Sequence, residues 1–376
     1  MKLYLFSLLP ALLVLQGCSS AQNAVERKLR GMSLREKVGQ LFIIRPEALD
    51  STIHWVSGED LAPLQLQRVN DRMREMASRY PVGGILLYAH NIADEKQLGA
   101  FIKELRSLGG HPLLCIDEEG GRVARIANNP AFQVPRYQSM AAIGATGDPE
   151  NAYQAGKNIG RYLKRYGFDI DFAPSADVNT NPANIIIGQR AFSSDPSVAA
   201  PMVAAYVRGM QEAGIVACLK HFPGHGDTFA DTHFGYAQSL KTWEEMSSCE
   251  MVTFREGIAA GVKMVMTAHI SAPNVTGSEV PSTLSPIILQ DKLRKELGFK
   301  GVIITDGMEM GAITRQYTSE EAAVAALEAG ADILLGTREY PKVFEAVVAA
   351  VQSGRLSEER IDESVRRILA LRQSIK

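Results

Sequence analysis

Apolar residues recur along this chain in short continuous runs, separated by longer stretches with helical periodicity. A continuous run, rather than strict alternation, is typical of a parallel strand that is buried on both faces. Eight runs fit this description, and we predict strands at Gln40–Ile44, Gly84–Tyr88, Leu113–Asp117, Asp169–Ala173, Ile215–Lys220, Lys263–Ala268, Gly301–Thr305 and Asp332–Leu335.

The stretches between these runs have the apolar spacing of amphipathic helices. The pattern predicts helices at Glu95–Leu108, Pro149–Tyr166, Pro196–Ala213, Trp243–Ala260, Ser285–Leu297 and Ser319–Ala329. A glycine often follows such a helix just before the next strand, as expected for a C-terminal cap; examples are Gly167, Gly214, Gly261 and Gly330.

Strands that alternate with helices favour a (β/α)8 barrel of the TIM type, formed as one domain by residues 31–376. An open, doubly wound parallel sheet is the alternative. Near the end of the chain, Ser357 is placed to cap a last helix whose apolar stripe consists of Ile361, Val365, Ile368 and Leu369.

The first residues have the pattern of an export signal rather than of a folded segment. A basic start, Met1-Lys2, precedes an apolar run that is too short to span a bilayer and that ends in Leu15-Gln16-Gly17-Cys18. This resembles a bacterial lipoprotein signal, which predicts a signal peptide at residues 1–17, a lipid on Cys18 and an anchor or linker at 18–30. Ser19 favours an outer-membrane location, on the periplasmic or surface face; an ordinary secretory signal is the alternative.

Composition and charge add little beyond a soluble globular class. The chain has 376 residues, 46% of them hydrophobic and 22% charged, with a formal net charge of −2. Such a balance gives no reason to expect a nucleic-acid partner, and we expect a monomer. Cys115 and Cys218 lie inside predicted strands and are expected to be buried free thiols.

Polar residues gather where the fifth predicted strand ends, in Lys220-His221-Phe222-Pro223-Gly224-His225-Gly226-Asp227-Thr228-Phe229-Ala230-Asp231-Thr232-His233. This stretch holds three of the seven histidines. Parallel α/β enzymes place their chemistry at the carboxyl ends of strands, so we predict a functional site here rather than a plain surface loop. Within the stretch, His225 is expected to pack in the loop rather than to bind a ligand.

Other predicted strands end in polar residues that belong to the same rim. The third ends at Asp117, with Arg125 one turn further on, the sixth is followed by His269, and the seventh by Asp306. A carboxylate at the end of an apolar strand, partly desolvated and close to Lys220, is suited to attack an electrophilic carbon. Capping of the following helix is the structural alternative for Asp306.

Asp231 and His233 are two residues apart and face one side of an extended loop, so the carboxylate is placed to fix the imidazole tautomer. Such a pair makes a proton shuttle that works near neutral pH. A metal site formed by His221, His225, Asp231 and His233 is the competing interpretation. Lys220 argues against it because an ammonium group repels a bound cation. We therefore predict neither a metal nor another cofactor.

Three motifs resemble those of glycoside hydrolase family 3, and in particular its single-barrel β-N-acetylglucosaminidases (the NagZ type). They are IDEEGGRVAR at Ile116–Arg125, KHFPGHGDTFADTH at Lys220–His233 and ITDGMEM at Ile304–Met310. The resemblance implies that Asp306 is the nucleophile and that His233, with Asp231, is the acid/base. It also implies that the terminal sugar is held by Asp117, Arg125, Arg190, Lys220 and His221.

The sequence departs from the family motifs at two positions. Glu118 stands where glutamine is common, and Thr232 where serine is common. Neither change removes a catalytic group, and we expect the extra charge of Glu118 to face solvent.

The predicted function is exo-acting, retaining hydrolysis of terminal β-linked N-acetylglucosamine from glycans or peptidoglycan fragments, through a covalent intermediate on Asp306. A β-glucosidase or a glycoside phosphorylase acting through the same site is the nearest alternative. The phosphorylase is possible because a neutral imidazole would not repel phosphate. A metal-dependent barrel hydrolase and a non-catalytic sugar-binding lipoprotein are more distant alternatives.

Overall fold

The computed structural model describes residues 22–53, 66–228, 237–337 and 339–375. In this part of the chain, eight parallel strands close into a barrel in the order β1-β10-β9-β7-β5-β4-β3-β2. The strands in chain order are β1 (Phe42–Ile44), β2 (Gly84–Leu87), β3 (Leu113–Ile116), β4 (Ile170–Asp171), β5 (Val216–Phe222), β6 (Ala237–Gln238), β7 (Met264–Thr267), β8 (Ile270–Ser271), β9 (Val302–Gly307) and β10 (Ile333–Leu335). The predicted (β/α)8 barrel is therefore confirmed, and the open sheet is excluded.

Helices surround the barrel, and the predicted helices at 95–108, 149–166, 196–213 and 319–329 and the last helix are confirmed, while several others were not predicted. Their bounds are α1 (22–30), α2 (Leu34–Gln40), α3 (Asp71–Arg79), α4 (Glu95–Arg106), α5 (Met140–Gly144), α6 (Pro149–Tyr166), α7 (Pro196–Glu212), α8 (Trp243–Ser248), α9 (Glu250–Ala259), α10 (Pro273–Thr276), α11 (Gly311–Thr314), α12 (Ser319–Ala329), α13 (Tyr340–Gln352) and α14 (Glu358–Ser374). A π-helix at Ile287–Glu296 replaces the ordinary helix predicted there.

The barrel strands are buried almost throughout because side chains fill the interior and helices cover the outside. This burial explains the continuous apolar runs. Cys115 and Cys218 lie within β3 and β5 as buried free thiols, as predicted. The helix predicted over Trp243–Ala260 is interrupted at Cys249, whose φ of −127° and ψ of −86° are not helical.

Helix α14 closes the amino end of the barrel. Asp332, just before β10, accepts hydrogen bonds from Ser364 and Arg367 on this helix, and Arg372 donates to the carbonyl of Gly83 before β2. Arg366 of α14 also pairs with Glu26 of α1. Ser357 caps α14, as predicted. The opposite end, where the strands finish, is therefore the end that is open to ligands.

The part of the chain described by the structure contains no helix with both the length and the apolar character needed to cross a membrane.

Candidate active site

A cavity of about 340 Å³ opens at the carboxyl ends of the barrel strands. Its lining comes from segments far apart in sequence, since the tips of all parallel strands meet at one rim. Six residues predicted to form the site line it together: Asp117, Arg125, Arg190, Lys220, His221 and Asp306. Asp231 and His233, the predicted acid/base pair, lie outside the described residues, as does Cys18.

Lys220 lies at the centre of the polar wall of this cavity. Its Nζ is 2.8 Å from Oδ1 of Asp117 and 2.7 Å from Oε1 of Glu119. Burial by itself would lower the pKa of Lys220, but the charges of these two carboxylates raise it above its usual value. The side chain is therefore a fixed cation with a carboxylate on each side, one of which, Asp117, is more open to the cavity.

Glu119 was not among the predicted site residues, although it is part of the IDEEGGRVAR motif. Arg190 grips it with two nitrogens, Nε at 2.9 Å and Nη2 at 2.7 Å. Burial acts to raise the pKa of Glu119, but Arg190 and Lys220 lower it far below the usual range. This bidentate pair fixes the guanidinium plane of Arg190 at the edge of the cavity.

Asp177 is a second residue that the sequence analysis missed. Its carboxylate is buried, with Oδ2 2.8 Å from Nδ1 of His221 and Oδ1 2.7 Å from the backbone nitrogen of His225. The histidine charges lower the pKa of Asp177 despite its burial. With Nδ1–H donated to Asp177 and Nε2 3.3 Å from Nη2 of Arg190, His221 is held as the Nδ1–H tautomer.

The position of Asp177 follows from the pairing of neighbouring segments. Ser175 forms a parallel bridge with Lys220, and the backbone nitrogen of Ala176 donates to the Lys220 carbonyl at 2.6 Å. Two residues beyond Ser175, Asp177 therefore lies beside His221. The signal that could have revealed it is an aspartate after the fourth predicted strand.

Asp306 lies at the end of β9, on another part of the wall. Burial would raise the pKa of its carboxyl, but the neighbouring histidines, the Gly307 N–H and Lys220 together lower it. The Gly307 N–H donates to Oδ1 at 2.7 Å. Asp306 is therefore kept ionised, as a carboxylate nucleophile requires.

His269 holds the backbone next to Asp306. Its Nε2 is 3.0 Å from the Gly307 carbonyl and its Nδ1 is 2.9 Å from the Thr283 hydroxyl. Burial lowers the pKa of His269, which favours the neutral ring. The Gly307 carbonyl can only accept, so the ring donates to it through Nε2–H.

The expectation that Glu118 faces solvent is wrong. Its side chain is fully buried and accepts hydrogen bonds from the backbone nitrogens of Ile126 and Ala127, at 2.9 and 2.8 Å, and from the Tyr162 hydroxyl at 2.8 Å. The backbone nitrogen of Arg125 makes a further bond to it at 2.5 Å. The carboxylate thus points away from the cavity and fixes the backbone that carries Arg125.

Arg125 reaches back to the cavity from that backbone. Its Nη2 is 3.7 Å from Oδ2 of Asp117, and its guanidinium lies 5.6 Å from the centre of the Tyr88 ring.

His225 also lines the cavity. Its Nδ1 is 2.6 Å from the Thr228 hydroxyl, so it packs within its own loop, although it is not remote from the site. In the competing metal interpretation, Nε2 of His221 would have to give up its 3.3 Å contact with the Arg190 guanidinium, whose charge repels a cation. Asp231 and His233, two of the proposed ligands, lie outside the described residues. No cluster of three or more histidine, cysteine, aspartate or glutamate side chains suited to a metal is found among the residues that the structure does describe.

The two ends of the segment that contains Asp231 and His233 are held together. On the incoming side, Asp227 accepts a hydrogen bond at 2.7 Å from the hydroxyl of Ser239, which lies on the outgoing side. Strand β6 then pairs with β8. Both ends of the predicted acid/base segment thus start from fixed positions next to the cavity.

The depressed pKa of Glu119 predicts a pH-dependent contribution to stability. Glu119→Gln should lower the free energy of unfolding by about 3–5 kcal/mol at pH 7, because it leaves Arg190 and Lys220 with a weaker partner. Since the folded pKa lies below the unfolded value of about 4.3, this difference should persist above about pH 5 and shrink as the pH falls toward 3.

Urea unfolding of both proteins between pH 7 and pH 3 measures this difference. The control Glu345→Gln removes an exposed carboxylate that pairs with Arg35, and it should change stability by less than about 1 kcal/mol at each pH. A Glu119→Gln deficit that stays constant down to pH 3 would contradict the assignment.

Comparison with known proteins identifies the family of this chain. The sequence model of one protein family, the glycosyl hydrolase family 3 N-terminal domain, matches residues 33–371 of this chain. A β-hexosaminidase of Stenotrophomonas maltophilia (strain R551-3) is 36% identical over 289 residues, which are 76% of this chain and 84% of that protein. β-Hexosaminidase A of Pseudoalteromonas piscicida is 34% identical over 332 residues, or 81% of this chain, but the match spans only 55% of that longer protein.

Among solved structures, a family 3 β-N-acetylglucosaminidase from Paenibacillus sp. str. FPU-7 superposes with a TM-score of 0.81 at 39% identity. The match covers 92% of this chain and 63% of that one. The matched family model, the relatives and the barrel agree: this chain belongs to glycoside hydrolase family 3.

Proposed function

We propose that the chain is an exo-acting, retaining β-N-acetylglucosaminidase that removes terminal β-linked N-acetylglucosamine from glycans or peptidoglycan fragments. The observation that carries this proposal is that an ionised Asp306 shares one cavity with fixed hydrogen-bonding groups. The names of the similar proteins, β-hexosaminidase and β-N-acetylglucosaminidase, support it.

The shape of the cavity supports exo action. Its volume of about 340 Å³ is at the lower end of the range of roughly 300–1,000 Å³ for small-molecule sites. Leu86, Met266 and Leu335 belong to its lining and are buried in the barrel core. A pocket of this size, with a blocked inner end, accepts one terminal ring.

The polar wall suits sugar hydroxyls, which both donate and accept hydrogen bonds. Lys220 and Arg190 supply fixed donors, while Asp117 supplies an acceptor that is partly open to the cavity. Because these charges are already paired with one another, the wall is rigid before the sugar arrives, which reduces the entropy lost on binding.

In the proposed reaction, Asp306 attacks the anomeric carbon while protonated His233 gives its proton to the leaving oxygen. Neutral His233 then removes a proton from water, which attacks the same carbon, releases Asp306 and gives the sugar with retained configuration. Asp231 is proposed to hold the His233 ring and to stabilise its charged form.

The replacement Asp306→Ala should reduce turnover of 4-nitrophenyl N-acetyl-β-glucosaminide by about 10⁴-fold or more, because it removes the attacking group. NMR of the wild-type products should show the β-anomer formed first. Running the reaction with and without phosphate separates hydrolysis from phosphorolysis. Asp291→Ala is the matched control, since Asp291 is exposed and pairs with Lys295 four residues away. Substantial activity in Asp306→Ala would refute the nucleophile assignment.

For the acid/base, His233→Ala should lower kcat/KM by about 10²- to 10⁴-fold on substrates with poor leaving groups and by less on activated aryl glycosides. Azide should restore turnover and yield a β-glycosyl azide, because it attacks the intermediate without needing a base. The control is His111→Asn, at the opposite end of the barrel, whose kcat/KM should equal that of the wild type on both kinds of substrate. Equal losses on good and poor leaving groups, with no rescue by azide, would count against His233.

We also propose that the chain is anchored in a bacterial membrane, with the outer membrane favoured, through a lipid on Cys18. Helix α1, which follows this position, is tied by the Glu26–Arg366 pair to α14 at the amino end of the barrel, and its Val25 and Leu29 are buried. An anchor there would turn the cavity away from the membrane.

In cells, Cys18→Ser should move the protein from the membrane fraction to the soluble exported fraction and abolish palmitate labelling. Cys249→Ser serves as the control for loss of a thiol. If the Cys18→Ser protein stays in the membrane fraction, the lipid anchor is refuted.

A further inference from the structure

Besides Asp117, Glu119 and Asp306, one further carboxylate lines the cavity, on the wall away from Lys220. Glu309 follows Asp306 by three residues and is only 8% exposed, yet it belongs to the cavity lining. Its Oε1 accepts a hydrogen bond from Nη2 of Arg45 at 2.7 Å. Its Oε2 is buried and has no hydrogen-bond partner among the described residues. A buried carboxylate oxygen without a donor is costly, so its presence in a ligand cavity needs an explanation.

The barrel is built to make room for this pair. Strand β10 lies between β9, which leads to Glu309, and β1, which leads to Arg45, so the pair crosses the tip of β10. At that tip stands Gly336, where an added Cβ would come within 2.1 Å of Oε2 of Glu309. Any other residue there would displace the carboxylate. On the other side, the Arg45 guanidinium lies 4.1 Å from the centre of the Tyr88 ring, which holds it in place.

The location relative to the nucleophile identifies which part of the sugar this pair would contact. The hydroxyl-binding wall, the polar wall with Asp117 and Lys220 that is proposed to bind sugar hydroxyls, lies at the ends of β3 and β5. Asp306 lies at the end of β9, and Glu309 follows that strand. Carbon 2 of the ring is next to the carbon that Asp306 attacks. The other ring neighbour of that carbon is the ring oxygen, which has no hydrogen to donate. Of the two neighbours, only the substituent on carbon 2 can therefore donate a hydrogen bond to a carboxylate close to Asp306.

We propose that Arg45 and Glu309 form the binding site for the 2-acetamido group and set the preference for N-acetylglucosaminides over glucosides. The amide N–H donates to the Glu309 carboxylate, and the amide carbonyl accepts from the Arg45 guanidinium. Leu335 and Met310 in the same lining offer apolar contact for the methyl group. A 2-hydroxyl is too short to make both hydrogen bonds and leaves the carboxylate oxygen unsatisfied, which disfavours glucosides.

This inference rests on the proposed glycosidase activity, and the test separates the two. The test compares kcat/KM of wild type and Glu309→Gln on 4-nitrophenyl β-glycosides that carry a 2-acetamido group, a 2-hydroxyl or a 2-O-acetyl group. The 2-O-acetyl compound keeps the carbonyl but lacks the N–H. Glu309→Gln should lower kcat/KM for the acetamide by about 10- to 100-fold, since a hydrogen bond to a charged group is lost.

The effect on the other two substrates should be less than about threefold, so the variant should discriminate less between the acetamide and the ester. Arg45→Lys is the second variant and should also weaken the acetamide preference, because a point charge replaces the planar guanidinium. Glu328→Gln, which alters an exposed pair with Arg355, is the control and should match the wild type on all three substrates.

The outcomes are distinct. If the wild type cleaves none of the three glycosides, the proposed function fails. If the wild type prefers the acetamide and both variants keep that preference, the acetamido site is refuted. It is also refuted if folded Glu309→Gln loses activity equally on all three substrates, because that result places Glu309 in the reaction rather than in recognition. Should Glu309→Gln not fold, Arg45→Lys decides by the same comparison.

Discussion

The polar wall of the cavity depends on one buried cation, Lys220, held between Asp117 and Glu119. A lone ammonium group in this position would be too costly to keep charged, and two neighbouring carboxylates would repel each other without it. Arg190 completes the arrangement by gripping the far side of Glu119. The hydroxyl-binding wall is therefore a set of mutually stabilising charges, whose geometry is fixed by their own attraction before any ligand binds.

Behind this wall lie buried carboxylates that hold the backbone in position. Glu118 accepts hydrogen bonds from the backbone that leads to Arg125, and Asp177 fixes the ring of His221 and the turn at His225. Both face the protein rather than the cavity. A rigid site thus depends on acidic residues that need not touch a ligand. Their carboxylates are strong acceptors for the N–H groups of the backbone and of a histidine ring, and so fix both in place.

The architecture could be predicted from the sequence because both its signals are local. Continuous apolar runs indicated the eight barrel strands, and positive-φ glycines such as Gly167 and Gly330 ended helices where expected. Within the site, strand-end position indicated Asp117, Lys220 and Asp306. Other contacts were missed because they join segments far apart in sequence, as when Asp177 reaches His221 or Arg45 reaches Glu309.

The error over Glu118 has a simpler cause. In an extended segment, successive side chains point to opposite sides. If Asp117 faces the cavity, Glu118 must point away from it into the protein, and Glu119 must face the cavity again. The alternation was present in the sequence and would have assigned all three residues.

Asp306 and Glu309 are two carboxylates only three residues apart in one cavity, and their surroundings give them different properties. Burial acts to raise the pKa of each. At Asp306 the nearby histidines, the Gly307 N–H and Lys220 outweigh burial and lower the pKa. At Glu309 burial prevails over Arg45, and the charge of Asp306 adds to it, so the pKa is raised. The two groups therefore differ: Asp306 has neighbours that keep it ionised and available for attack, while Glu309, whose Oε2 has no hydrogen-bond partner among the described residues, gains most from a ligand's hydrogen-bond donor.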